Sequence, residues 1–254
     1  MNKSEVLDSE GRRLSSCPPD HARRLLAKGR ATLVSEDPFA IKLTRKVEIP
    51  PREQPAAIEI VGKGKSILLH TCCGPCSTYT VERLRQQGFE VTGFWYNPNI
   101  HPFSEHERRL ESMESYAGSV GLPLLREEGY EMVQFLRLVA GRETRPERCG
   151  LCYRMRLQRT AELAAARGFD AFTTTLLISP HQNQDLLREI GADLAREHGV
   201  DFHFENFRRG WSERGRLTRE HDLYRQQYCG CVYSEWERYG GVEIAQEVVE
   251  RDHD

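Results

Sequence analysis

ILLHTCCGPCSTYTVERLRQQGFEVTGFWYN, residues 67–97, decides the fold. ILLH (67–70) reads as a short buried strand, CSTYTVERLRQQG (76–88) as a helix stopped by Gly88, and EVTGFWYN (90–97) as a second strand. Strand, helix and strand at these lengths make a βαβ unit with parallel strands. The alternation continues downstream. Helices are predicted over 106–121, 131–141, 154–168 and 183–199, and strands over PLLREE (123–128), AFTTTLL (171–177) and FHFENF (202–207). The pattern predicts an α/β fold built on a doubly wound parallel sheet. Such sheets bind ligands beyond the carboxyl ends of their strands, where strand order reverses. HTCCGPC, YNPNIHP and SPHQN each follow a strand, so these three loops are expected to converge on one edge. CGLC (149–152), at the start of its helix, is expected to reach the same edge, where a helix N-terminus helps hold anionic thiolates.

Seven of the eight cysteines fall in three tight groups: Cys72, Cys73 and Cys76; Cys149 and Cys152; Cys229 and Cys231. Paired thiolates one or two residues apart let one loop deliver two soft ligands to one centre. Seven ligands exceed one four-coordinate site, which leaves a cluster plus a second metal, or a cluster plus reactive thiols. The opening MNKSEVLDSEGRR lacks the apolar core of a signal peptide, and no run is long enough to span a bilayer. The expectation is a cytoplasmic protein with no membrane contact and reduced thiols, so metal ligation ranks ahead of a transient redox disulfide or merely buried cysteines. Cys17, in SSCPPD, is expected to be an incidental thiol. Adjacent side chains on a strand point to opposite faces, so Cys72 and Cys73 belong in the loop beyond the first strand, where Gly74 and Pro75 permit a sharp turn.

At 254 residues and 39% apolar, the chain can build one medium α/β domain with an appendage. The net charge of −2 neither requires nor excludes a nucleic-acid partner, but arginines are unevenly spread. Arg208, Arg209, Arg214, Arg216, Arg219 and Arg225 interleave with Trp211 and Tyr224, which suits phosphates and stacked bases, while Glu213, Glu220 and Asp222 equally allow a solvated helix face. The stretch from Pro50 to Gly64 reads as a linker. It separates a small basic N-terminal α+β extension (1–57) from a main domain (65–240) and a tail (241–254). In the extension HARRLLAKG reads as helix and ATLV and AIKLT as strands, with ten Lys or Arg against seven acids over residues 1–50.

LLHTCCGPCSTY (68–79), FWYNPNIHP (94–102), RCGLCYRMRL (148–157), TTTLLISPHQN (173–183) and LYRQQYCGCVYS (223–234), in this order, resemble epoxyqueuosine reductases of the QueH type over roughly residues 65–240. The resemblance implies an adenine-nucleotide-hydrolase-like, Rossmann-like fold that reduces epoxyqueuosine to queuosine at the wobble position of tRNA, the final step of queuosine biosynthesis. It implies a [4Fe–4S] cluster and a second metal ion, iron; Cys72, Cys73, Cys149 and Cys152, or a near variant of that set, are expected on the cluster, with Cys76, Cys229 and Cys231 available to the second iron. Cys76, Cys229, Cys231 and His101 are then the catalytic candidates. Tyr96, Asn97, Asn99, His181, Tyr224 and Arg225 are the candidates for contact with a tRNA anticodon loop, and an external electron donor is required. The Asn-Pro pairs of YNPNIHP could equally just shape a turn, Tyr224 could be a core residue, and His181 stands where the family motif more usually has tyrosine. CPPDHARRLLAKGRATLVSEDPFAIKL resembles the short N-terminal module of RNA-guided and HNH-type nucleases, which makes the extension a candidate tRNA contact. Two rivals remain: a cluster-dependent tRNA-thiolating enzyme, disfavoured because HTCCGPC stands where a phosphate loop belongs, and a zinc-binding RNA-binding protein needing only four of the seven thiolates.

Overall fold

The computed structural model describes residues 4–14, 16–46, 60–242 and 244. The chain divides into two compact units, Met1–Ala57 and Ile58–Asp254. The first holds β1 (Glu5–Leu7), α1 (Pro19–Ala27), β2 (Ala31–Glu36) and β3 (Phe39–Leu43). Its sheet runs β1-β3-β2, with β1 parallel and β2 antiparallel to β3, and Val6, Ala22, Ala31 and Ile41 form its small core. The linker expected over Pro50–Gly64 falls largely outside the described residues, as does the tail except at 241, 242 and 244.

The second unit alternates as the sequence does: β4 (Ser66–His70), α2 (Gly74–Gln86), β5 (Glu90–Trp95), α3 (Phe103–Ser119), β6 (Leu124–Arg126), α4 (Met132–Val139), α5 (Arg145–Arg167), β7 (Ala171–Thr174), α6 (Gln184–His198) and β8 (Asp201–Phe202), followed by α7 (Trp211–Glu220) and α8 (Val232–Gly240). The five strands are all parallel in the order β6-β5-β4-β7-β8, so the order reverses between β4 and β7. Ile67, Leu68 and Leu69 on β4 and Phe172 on β7 are fully buried, as strands covered on both faces must be. Helix α2 packs on α3 and α7, while α5 packs on α4 and α6.

Three elements differ from the sequence reading. Helix α5 begins at Arg145, so CGLC lies within its early turns rather than in front of it. Its start carries Thr144 bonded to Glu147 (2.7 Å) and Pro146 in the first turn, a helix-start pattern that the cysteines overshadowed. The strand over AFTTTLL stops at Thr174 and tightens into a 3₁₀ turn, Thr175–Ile178, capped by the Thr174 side chain. FHFENF is strand only at Phe202, and the chain leaves the sheet edge after His203, whose N–H still reaches the Phe172 carbonyl (2.9 Å).

Beyond that edge Glu205 accepts hydrogen bonds from Arg83 Nε (2.8 Å) and Gln87 Nε2 (2.7 Å) of α2. Burial pushes the Glu205 carboxyl pKa up, but the nearby His203 ring and hydrogen bonds from Arg83 and Gln87 bring it below its ordinary value. As pH falls, the unfolded chain therefore takes up this proton before the folded one does. The contribution is complete above about pH 4 and is lost as pH drops through the depressed folded value. Glu205→Gln is expected to cost about 1–2 kcal/mol at pH 7 and progressively less below pH ~4, read from melts of the metal-free protein; an equal deficit at both pH values contradicts this account.

Candidate thiolate metal centre

Past β4 the chain turns through Thr71 and Cys72, and Cys73 caps α2 by accepting a hydrogen bond from Cys76 N at 3.4 Å. This cap fixes the Cys73 and Cys76 side chains on one helical turn. From the 3₁₀ turn after β7, Thr175 Oγ1 accepts from Cys72 N (3.0 Å) and donates to Cys72 Sγ (3.1 Å). The sulfurs of Cys72, Cys73 and Cys76 lie within 4.8 Å of one another, at the crevice where strand order reverses. Gln226 Nε2 donates to Cys73 Sγ at 2.9 Å. Hydrogen bonds from Cys73, Cys76 and Thr175 hold the Cys72 thiol well below its ordinary pKa, while burial and contact with Cys72 push Cys73 up. One sulfur of the three is thus primed as a thiolate.

His70 supports this loop from beneath. It is fully buried, with Nδ1 2.9 Å from Thr174 Oγ1 and Nε2 3.1 Å from the Tyr96 carbonyl. Thr174 Oγ1 already accepts from Leu176 N, which leaves its hydroxyl proton for Nδ1 and places the ring proton on Nε2. Burial pulls the His70 pKa down to about 3, so it is a neutral strut between β4, β5 and β7.

The other four cysteines line one cavity that opens to solvent. Cys149 and Cys152 come from one face of α5. Cys231 caps α8, accepting from Ser234 N at 3.4 Å, and Cys229 is exposed. Gly230 between them has φ +152°, and a Cβ there would stand 3.1 Å from Asn99 Nδ2, so only glycine suits this turn. Two buried arginines hold the segment: Arg109 donates to the Cys229 and Tyr228 carbonyls (2.9 and 3.1 Å), and Arg148 pairs with Glu237 of α8 (2.6 Å). Tyr153 OH donates to Gln182 Oε1 (2.7 Å), which turns the Gln182 amide nitrogen toward Cys229 Sγ at 3.5 Å.

The seven side chains do not group as the expected ligand division had them. Cys76 stays with Cys72 and Cys73 because the cap holds it there, and Cys229 and Cys231 share a cavity with Cys149 and Cys152.

Arg156 shows that this chemistry suits a thiolate-held metal. Its side chain is 2% exposed, Nε donates to the Cys152 carbonyl (3.2 Å), Nη2 has no partner, and it forms no ion pair among the described residues. Arg109 by contrast pairs with Glu105 at 2.7 Å. Burial lowers the Arg156 pKa, yet Cys152, Cys229 and Cys72 raise it overall, so the missing anion is one that these sulfurs can supply. Sulfur spacing fits as well. A tetrahedral ion with metal–sulfur bonds of about 2.3 Å sets its sulfurs just under ~4 Å apart, and Cys72 and Cys73 stand at 3.9 Å. Among the described residues no three of the other four cysteines are within 4.8 Å, which leaves room for a larger group.

The remaining candidates scatter around this centre. Tyr96 is buried with its hydroxyl on Glu131 (2.5 Å), and Asn97 Nδ2 donates to the Thr71 carbonyl (2.8 Å), so both shape the loop. Asn99 lines the cavity, and its Oδ1 has no partner. His101 accepts from Val232 N through Nδ1 (3.3 Å), so Nε2 carries its proton; burial lowers its pKa and keeps it neutral. His181 is exposed on the cavity wall. Tyr224 donates to Glu105 (2.8 Å) within the Arg109 network, and Arg225 is exposed.

A family model described as epoxyqueuosine reductase QueH matches residues 67–237. The chain belongs to the epoxyqueuosine reductase QueH family. The QueH relative from Dehalococcoides mccartyi is 45% identical over 175 residues, covering 68% of this chain and 94% of the relative. QueH of Thermotoga maritima is 38% identical (68% and 92% covered), and QueH of Streptococcus pyogenes 35% identical (71% and 74%). A second family model, RRXRR protein, matches residues 5–68, over the N-terminal extension. The QueH match spans all seven clustered cysteines and Arg109, Arg148 and Arg156. No helix among the described residues is long and apolar enough to cross a membrane.

Replacing a buried unpaired charge by an apolar side chain of similar size relieves an uncompensated burial cost. Arg156→Met is therefore expected to melt at or above wild type when metal-free, yet to retain less iron after anaerobic reconstitution. A metal-free variant that melts several degrees lower, with iron uptake unchanged, contradicts the counter-charge role.

Proposed function

We propose that this chain is an iron–sulfur-dependent oxidoreductase that removes the epoxide oxygen of epoxyqueuosine at the wobble position of tRNA, the final step of queuosine biosynthesis. Two electrons and two protons convert the epoxide to an alkene and water, so an external electron donor is required. The observations that carry the reading are the three-thiol group where sheet order reverses and the four further thiols that share a cavity with Arg156, a buried guanidinium lacking an ion pair among the described residues. Cys149, Cys152, Cys229 and Cys231 are the proposed ligands of a [4Fe–4S] cluster, and Cys72, Cys73 and Cys76 those of a second iron. When bound, such groups supply single electrons and Lewis acidity toward the epoxide oxygen, which side chains alone lack.

The protein's own part is positioning. Asn99 offers an unsatisfied, buried acceptor to a substrate hydroxyl or amine in the cavity. Arg109 fixes the backbone at Cys229 through two carbonyls, and Gln182 and Gln226 aim N–H groups at sulfur. His101, the remaining catalytic candidate, holds an unpartnered N–H at Nε2 as a hydrogen-bond donor, and the two protons the reaction consumes come from solvent. Cys76, Cys229 and Cys231 stand as catalytic candidates through the metals they would bind.

Anaerobic turnover of epoxyqueuosine-containing tRNA with a strong reductant should yield a nucleoside lighter by one oxygen on mass spectrometry. Cys76→Ala and Cys231→Ala should each abolish that product, and retained turnover in both excludes them from the centre. Cys149→Ala should lose the visible cluster absorbance, whereas Cys76→Ala should keep it.

The basic unit Met1–Ala57 is proposed as a tRNA-gripping addition. Its described cations include Arg23, Arg24, Lys28, Arg30 and Lys42. Deletion of residues 1–57 should raise the Kd for tRNA about 10-fold at fixed low salt and flatten the salt dependence; an unchanged Kd removes the idea.

A further inference from the structure

Trp211 opens α7, and the Arg214 guanidinium lies 3.8 Å from the centre of its ring, a close cation–π stack. The edge of this stack reaches the cavity mouth: His181 meets Trp211 edge-on at 6.4 Å and itself lines the cavity holding Cys149, Cys152, Cys229 and Cys231. Helix α7 itself packs on α2, whose first turn carries Cys73 and Cys76. Trp211 and Arg214 are both half-buried, so neither is sealed in the core.

Two cations of this segment are committed elsewhere. Arg208 donates to the Ser179 and Gln182 carbonyls and secures the loop carrying His181, and Arg216 pairs with Glu213 and Glu220. Arg214 forms no ion pair among the described residues, and its buried Nε has no hydrogen-bond partner. Exposed Arg209 and Arg219 flank it. An indole topped by an uncommitted guanidinium is an extended, positively charged π surface, which matches a nucleobase with its phosphate better than a carboxylate, for which the ring has no use.

An enzyme acting on one base of an RNA loop must draw that base out of its stack, which strips a neighbouring base of its partner. We propose that Trp211 and Arg214 form a shelf on which the base next to the modified one stacks while the modified base enters the cavity beside His181. The shelf rests on the tRNA reading above and adds to it the residues that hold the flanking nucleotide.

The test uses the full chain and a tRNA transcript carrying 2-aminopurine beside the wobble position, titrated at fixed salt with fluorescence as readout. Wild type should bind and quench the probe. Trp211→Ala should weaken binding about 5- to 100-fold and remove the quench. Trp211→Phe, which keeps a ring and guards against a folding defect, should retain most of both. Arg214→Gln should weaken binding, and the double variant should lose less than the product of the two single losses. A Trp211→Ala protein that melts like wild type and binds and quenches equally well overturns the shelf while leaving the tRNA reading intact. A wild type that binds no tRNA overturns both, and binding with no quench in any variant assigns Trp211 to a protein contact instead.

Discussion

A full positive charge at Arg156, buried among thiols and lacking a carboxylate, is the constraint on which the centre turns. An isolated buried cation costs several kcal/mol, and beyond a hydrogen bond from Nε to the Cys152 carbonyl no carboxylate among the described residues offsets it there. Arg109 and Arg148, equally buried, are each matched by a glutamate and spent on holding the Cys229 loop and α8 in place. The difference divides labour among three arginines. Two are structural clamps, and the third waits for negative charge that deprotonated sulfurs can provide.

That charge can be delivered because of where the sheet reverses. The β4 and β7 strands are neighbours in space but 104 residues apart in sequence, and their loops diverge to open a crevice at the β4–β7 boundary. His70 and Thr174 tie the strand ends together, and Thr175 reaches across to Cys72. Helix α2 then carries Cys73 and Cys76 away on its first turn, while α5 and the capped start of α8 bring the other four cysteines in from elsewhere. Three separate helices thus bring thiols to one region, where burial raises the pKa of Cys149, Cys152 and Cys229 and favours their protonated forms in the metal-free protein.

Much of this was legible in the chain. ILLH and EVTGFWYN declared themselves as buried strands, and the cysteine groups marked the functional edge because thiols so spaced have few uses in a reduced protein. The grouping of those cysteines was not legible, since it depends on a side-chain cap, Cys73 to Cys76, that spacing alone does not reveal. The start of α5 was readable in Thr144, Pro146 and Glu147 but was masked by beginning the helix at Arg154, after CGLC. Arg109 could not have been found, because it meets the Cys229 carbonyl across 120 residues of sequence. Arg156 left a fainter mark, one helical turn after Cys152 on the same face, where a cation would not be placed for solubility. The arginine-rich segment 208–225 resolved unevenly. Arg216 is the solvated ion pair that its acids suggested, whereas Arg214 leaves its charge beside an indole.

Mössbauer spectroscopy of protein reconstituted anaerobically with isotopically enriched iron tests the central claim most directly. The account predicts sulfur-ligated iron of two kinds, a cluster signal that vanishes on replacing Cys149 and a separate site that vanishes on replacing Cys76. A colourless protein that takes up zinc in preference to iron, with no iron bound to sulfur, would contradict it.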